Sequence, residues 1–206
     1  MESFNRCSVR FILGVSLLCC FCCDIAGQGY WEAVVRIEST HGGGTGFCVK
    51  SNEGEVEVWT AGHVTGPVGS EAVVVFRGNR RMEGTVTYRK YDGKGDGDDQ
   101  AKIVCRKPEG EVETLPVCKK VCPVVDLAFF CGFSMGPETQ RQVQIGLTPN
   151  EPFPNRITAR PASDSGDSGG PVVNQDGVVI GVVTQRTIER FPRLLFVPVS
   201  KWVESD

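Results

Sequence analysis

The chain reads as an all-β protein, on three observations. Apolar and polar residues alternate over short runs, as in Glu55-Val56-Glu57-Val58-Trp59, which is the period of a half-buried strand. The 206 residues include 25 Gly and 12 Pro, enough to punctuate such runs with turns. No internal repeat and no helical periodicity stand out, apart from a short terminal turn expected over 200–205. The formal net charge is −3. With no basic excess, nucleic acid is not an expected partner. Beyond the N-terminus nothing approaches the roughly 18 apolar residues that a membrane span needs.

Taken in order, the alternating and β-rich runs predict strands over 32–38, 45–49, 55–61, 72–77 and 84–89, with a sixth at 103–106 or 127–131. Six strands are enough to close one barrel. A second group is predicted over 141–145, 156–160, 171–174, 178–184 and 194–199, and this group looks thin. Between them, the loop from Tyr91 to Asp99 is rich in Gly and Asp. Lys94 stands where a calcium loop needs a ligand, and Ile103 where it needs a bidentate Glu, so a solvated loop is expected.

The N-terminus has its own logic. Arg6 and Arg10 precede the apolar run Phe11–Cys23, which is followed by Asp24-Ile25-Ala26-Gly27. That layout predicts a secretory signal over 1–27 and a protein that is secreted or faces the periplasm or cell envelope, with an uncleaved anchor as the alternative. Removal of the signal leaves five cysteines: Cys48, Cys105, Cys118, Cys122 and Cys131. An odd number leaves at least one without a partner in the chain. One or two disulfides are expected of the others in an exported protein, with a zinc site built on Cys105, Cys118, Cys122 and Cys131 as the lesser reading.

The chemistry concentrates in Gly166-Asp167-Ser168-Gly169-Gly170-Pro171. A serine hydroxyl is a poor nucleophile unless a base takes its proton and nearby donors hold the developing negative charge. Glycines beside it let the backbone turn tightly and converge N–H groups on one point. Of the two histidines, His63 sits where the strand 55–61 meets a loop, rigid and reachable, whereas His41 lies in a turn before Gly42-Gly43-Gly44. Asp126, alone in Val124-Val125-Asp126-Leu127-Ala128-Phe129-Phe130, needs a hydrogen-bond partner if buried. The imidazole N–H of a catalytic histidine would supply one.

Thr60-Ala61-Gly62-His63, Val125-Asp126-Leu127-Ala128 and Gly166-Asp167-Ser168-Gly169-Gly170-Pro171 stand in the order of the His, Asp and Ser motifs of the chymotrypsin/trypsin-like serine proteases. The chain resembles that superfamily over roughly residues 30 to 203, and the short interval between Asp126 and Ser168 is closer to its compact bacterial and viral members. The resemblance implies two antiparallel β-barrels with the active site in the cleft between them, the first over about 30–132 and the second, reduced, over about 140–203. It implies Ser168 as nucleophile, His63 as base and then acid, Asp126 as the acid that orients His63, and the Gly166 and Ser168 N–H groups as the oxyanion hole. Aligned on Ser168, it implies a substrate pocket lined by Ala162, Ser163, Thr184, Gln185 and Arg186.

The chain also departs from the animal enzymes of that superfamily. Ala162 stands where enzymes that cleave after Lys or Arg carry an acid, and Arg186 where a small residue keeps the pocket open. No Ile-Val-Gly-Gly activation site follows the signal, so pairing of a freed amine with Asp167 does not carry over. The expected activity is that of an endopeptidase on polypeptide substrates, with no cofactor and no metal. A protease-fold binding protein without turnover and an esterase remain the alternatives.

Overall fold

A computed structural model of the chain describes residues 30–91, 93, 98–118, 127–134, 140–148, 157–186 and 194–199. The expected signal segment, Asp126, Cys122, most of the 91–99 loop and the expected turn over 200–205 lie outside the described residues.

Twelve strands form two closed antiparallel barrels of six strands each. The first contains β1 (Val34–Ser39), β2 (Gly42–Ser51), β3 (Glu55–Thr60), β4 (Glu71–Phe76), β5 (Arg80–Tyr91) and β6 (Asp99–Arg106). The second contains β7 (Leu127–Phe133), β8 (Gln140–Thr148), β9 (Ile157–Arg160), β10 (Pro171–Val173), β11 (Val179–Arg186) and β12 (Leu194–Pro198). The first barrel closes in the order β1-β2-β3-β6-β5-β4, and the second repeats that order as β7-β8-β9-β12-β11-β10. Among the described residues there is no α-helix, only short 3-10 turns.

The second barrel is therefore not reduced. Its first strand is β7, which pairs with β8 and β10 and belongs wholly to this sheet. The run Leu127-Ala128-Phe129-Phe130 is apolar without alternation, so it marks a buried strand but not the sheet that receives it. Pairing decides that, and it moves the boundary between the barrels ahead of residue 127.

Each barrel fills its own interior. In the first, Val35, Ile37, Val56, Val58, Val74, Val86 and Ile103 make a core in which Val56, Val58 and Ile103 are fully buried. Every such side chain contributes roughly 1.5–3 kcal/mol when removed from water. Phe130, Ile145, Val172, Val183, Leu194 and Phe196 do the same in the second. A third cluster joins the two barrels, with Phe47 and Trp59 from β2 and β3 against Val173, Val179, Val182 and Val197. The connecting segment reinforces it: Leu115 N–H donates to Cys48 C=O at 2.9 Å, while Val179 N–H donates to Pro116 C=O at 2.8 Å.

Cys48, Cys105 and Cys131 are free, buried thiols, so the expected disulfide pairing is not found at these three. Burial pushes the Cys105 thiol up to about 11 and the Cys131 thiol to about 12, and raises Cys48 as well. Protonated and enclosed, they behave as small apolar residues. Cys105 lies in the first core and Cys131 on β7 of the second barrel, which separates two members of the set considered for zinc.

Candidate active site

His63 owes its position to the register of three strands. On leaving β3 the chain makes a 3-10 turn, Gly62–Val64. Thr60 pairs with Ala101 of β6, so the turn stands beside the start of that strand, where Asp99 is paired with Tyr91 of β5. Asp99 Oδ1 accepts the backbone N–H of His63 at 2.9 Å, and Oδ2 lies 2.8 Å from His63 Nδ1. The carboxylate is almost fully buried, whereas the imidazole is 31 % exposed. A carboxylate on Nδ1 makes that nitrogen the donor and leaves Nε2 free to accept a proton. The turn is braced further by Arg89, whose Nε donates to Gly62 C=O at 2.9 Å while its guanidinium lies over the Tyr91 ring.

The carboxylate at His63 Nδ1, the place expected of Asp126, is thus Asp99. Asp99 holds His63 at two points, the ring through Oδ2 at Nδ1 and the backbone N–H through Oδ1. Asp126 lies outside the described residues. Asp99 is hidden in sequence because it ends an acidic, glycine-rich loop that reads as solvated; only its place as the first residue of β6 sets it apart. His41 stays exposed in the turn between β1 and β2, with its Nδ1 at 3.1 Å from Thr40 Oγ1.

Ser168 lies on the loop between β9 and β10. Gly166 (φ 97°) and Gly169 (φ 88°) take the left-handed conformations that let this loop fold back on itself. A Cβ at Gly169 would overlap Thr45 C=O and Thr60 Oγ1, so only glycine passes between the barrels there. The loop is tied down from several sides. Thr45 N–H donates to Ser168 C=O at 2.8 Å, and Gly169 N–H to Val183 C=O at 2.7 Å. Thr45 Oγ1 donates to Gly166 C=O at 2.6 Å. Asp167 is fully buried, its carboxylate accepting Ser134 Oγ–H at 2.5 Å and the Asp164 N–H at 2.7 Å.

Among the described residues, neither the Gly166 N–H nor the Ser168 N–H donates to a protein acceptor. The two expected oxyanion donors are thus available to a ligand. The loop and the His63 turn meet at Gly44, where a Cβ would lie 2.6 Å from Ser168 C=O and 2.8 Å from Val64 Cγ2. Ser168 Oγ itself donates to Thr184 C=O at 3.4 Å and makes no hydrogen bond to His63.

The residues expected to line a substrate pocket fall on two adjoining segments. Ala162 is half-buried and Ser163 buried, and Ser163 Oγ donates to Gln185 C=O at 3.3 Å, joining the segment ahead of the nucleophile to β11. Thr184 is buried, Gln185 exposed, and Arg186 ends β11 opposite Leu194. Sequence reading missed Thr45 and Ser134, whose hydroxyls act through contacts distant in the chain and carry no motif.

A family model described as a trypsin-like peptidase domain matches residues 44–182. No curated protein matches the chain in sequence. Among solved structures, the serine endoprotease from Yersinia pestis is similar, with a TM-score of 0.67 and 18% identity over 87% of this chain. The chain spans only 63% of that enzyme's length. A protease from M. tuberculosis in its active form gives a TM-score of 0.67 and 19% identity over 99% of this chain and 91% of its own. A human pathogenic astrovirus serine protease gives 0.61 and 20%, over 81% of this chain and 89% of its own. At these identities the structural likeness establishes the two-barrel fold.

Proposed function

The chain belongs to the trypsin-like peptidase family, and from that premise we propose that it is an exported serine endopeptidase working through an acyl-enzyme. The observation that carries this reading is the His63–Asp99 pair, joined at 2.8 Å beside a serine loop whose Gly166 and Ser168 N–H groups are free among the described residues. In the proposed reaction His63 Nε2 takes the Ser168 hydroxyl proton as Oγ attacks the scissile carbonyl carbon. The resulting oxyanion accepts the Gly166 and Ser168 N–H groups. His63 then gives its proton to the leaving amine, and water repeats the sequence to release the acid. Asp99 stabilises the imidazolium without taking its proton.

The proposed pocket disfavours Lys and Arg, because Ala162 offers no carboxylate and an unpaired cation enclosed there would cost several kcal/mol. Small apolar or acidic side chains fit better, the acidic ones through the Arg186 guanidinium if it faces the cleft. The layout of residues 1–27 supports export.

A second reading, a binding protein without turnover, has one observation in its favour: Ser168 Oγ is directed to Thr184 C=O and not to His63. Reaction with a fluorophosphonate separates the two readings. The expected result is labelling of the wild type and none of Ser168→Ala. Ser168→Ala and His63→Ala should each lower peptide turnover on the order of 10⁶-fold, with no further loss in the double variant. A wild type that is neither labelled nor cuts peptides leaves the binding protein standing.

A further inference from the structure

We infer that the loop carrying the nucleophile is held with its two oxyanion donors facing the cleft by a pair of hydroxyls, Thr45 Oγ1 from the first barrel and Ser134 Oγ from the second. The inference rests on the peptidase reading and names the residues that position its oxyanion hole.

A peptide group is planar and trans, so fixing its carbonyl on one side turns its N–H to the other. Asp167 C=O accepts the Gly170 N–H at 2.9 Å, which turns the Ser168 N–H away from that contact. The peptide after Gly166 is fixed at both ends, its carbonyl by Thr45 Oγ1 at 2.6 Å and its N–H by Asp164 C=O at 3.2 Å. The peptide after Ser168 is fixed by the Thr45 N–H. Thr45 therefore holds the carbonyls on both sides of Asp167.

The Thr45 hydroxyl is itself oriented. It accepts the Phe133 N–H at 2.9 Å, so its proton is directed to Gly166, and the Thr45 C=O accepts Thr60 Oγ1–H at 2.6 Å. Thr45 is fully buried. Replacing its hydroxyl by a methyl would remove the partner of both the Phe133 N–H and the Gly166 C=O.

The next residue along β7's exit supplies the other half. Ser134, 3 % exposed, donates to Asp167 Oδ1 at 2.5 Å, and Asp164 N–H covers Oδ2 at 2.7 Å. Gly132 brings the β7 backbone against the same carboxylate, where a Cβ would lie 2.5 Å from Oδ1. Asp167 stands between the two oxyanion donors in sequence, so displacement of its side chain moves both. Both carboxylate oxygens are thus engaged by groups of this chain's interior.

Thr45 and Ser134 are positioning residues, and the distinguishing readout is a split between kcat and KM. In the full chain, Thr45→Val and Ser134→Ala are each expected to lower kcat by about 10²-fold, on the scale of losing one oxyanion donor, with KM changed less than threefold. Concentrations are set by active-site titration, which removes any misfolded fraction. Affinity for a peptide boronic acid, which forms a tetrahedral adduct on the serine, should fall in parallel with kcat. Thr45→Ser, which keeps the hydroxyl, should recover most of the loss. If Thr45→Val does not fold, Ser134→Ala, which removes a single oxygen, decides by the same split. A kcat within threefold of wild type in Ser134→Ala, or a loss confined to KM, overturns the clamp while leaving the peptidase reading in place. Should the wild type prove to have no turnover, amide hydrogen exchange over residues 164–170 decides instead. Faster exchange in Thr45→Val and Ser134→Ala, restored in Thr45→Ser, supports the clamp, and unchanged exchange overturns it.

Discussion

In the first barrel, Asp99 opens β6 and His63 stands on the turn that follows β3, the neighbouring strand, so register and contacts within that one barrel bring them within 2.8 Å. In the second barrel, Ser168 stands on a loop between β9 and β10 whose shape depends on two left-handed glycines and on groups from the other barrel, Thr45 and Thr60. The two barrels share one strand order, yet they serve the site differently. A base and its acid need a fixed mutual geometry, which a ladder supplies without outside help. An oxyanion hole needs unpaired N–H groups facing one point, which no regular ladder provides, since a ladder pairs its N–H groups. The second barrel therefore departs from regular structure at the site, and the first barrel holds that departure in place.

The largest test of this contrast is at the acid. Asp99→Asn keeps the shape of the first barrel but reverses the tautomer preference of His63, and kcat should fall about 10⁴-fold, as when the corresponding acid is amidated in trypsin. Asp126→Asn should change kcat less than threefold. Single-turnover acylation with an activated ester reads both. A normal rate in Asp99→Asn with a large loss in Asp126→Asn would place the acid outside the β3–β6 ladder and break the comparison.

A smaller effect is expected where the barrels meet. Gly169→Ala must adopt a φ of 88° and meets Thr45 C=O and Thr60 Oγ1. The left-handed conformation alone costs roughly 1–2 kcal/mol, and the overlap adds to it. Gly54→Ala and Gly146→Ala, one in each barrel, meet nothing within 4 Å and should stay within about 0.5 kcal/mol of wild type. Urea midpoints at constant m measure all three. Equal effects at the three glycines would mean that the serine loop is no more dependent on the other barrel than an open turn.

The smallest effect concerns the outside of the first barrel. Glu38 of β1 is hydrogen-bonded to Arg81 of β5, with Arg36 beside it, and the Arg81 hydrogen bond is the leading cause that holds its carboxyl below the usual glutamate range. A carboxyl depressed in the folded state stabilises the fold above its unfolded pKa of about 4.3, and that stabilisation fades as pH falls through the folded value. Because the pair is solvent-exposed, the contribution is about 0.5 kcal/mol or less. Glu38→Gln should therefore be slightly less stable than wild type at pH 7, with the gap closing in acid below about pH 4. A gap that widened in acid would reverse the sign of this contribution.

Sequence alone determined that this is an all-β chain and that the strands fall close to where they do, and it singled out Ser168 and His63 as the candidate reactive residues. Those facts are local: alternation follows from the two faces of a strand, and the glycines around Ser168 from the turn they must make. Tertiary structure alone decided three others. It gave Leu127–Phe133 to the second barrel, because an unalternating apolar run does not name its partner. It put Asp99 at His63 Nδ1, because the register of β6 against β3 sets which carboxylate stands there, and an acidic loop looks the same in sequence whether or not its last residue enters a ladder. It also brought Thr45 and Ser134 to the serine loop across long stretches of chain. A hydroxyl acts there by a hydrogen bond about 2.6 Å long, and such contacts depend on where strands pack, which no short motif records.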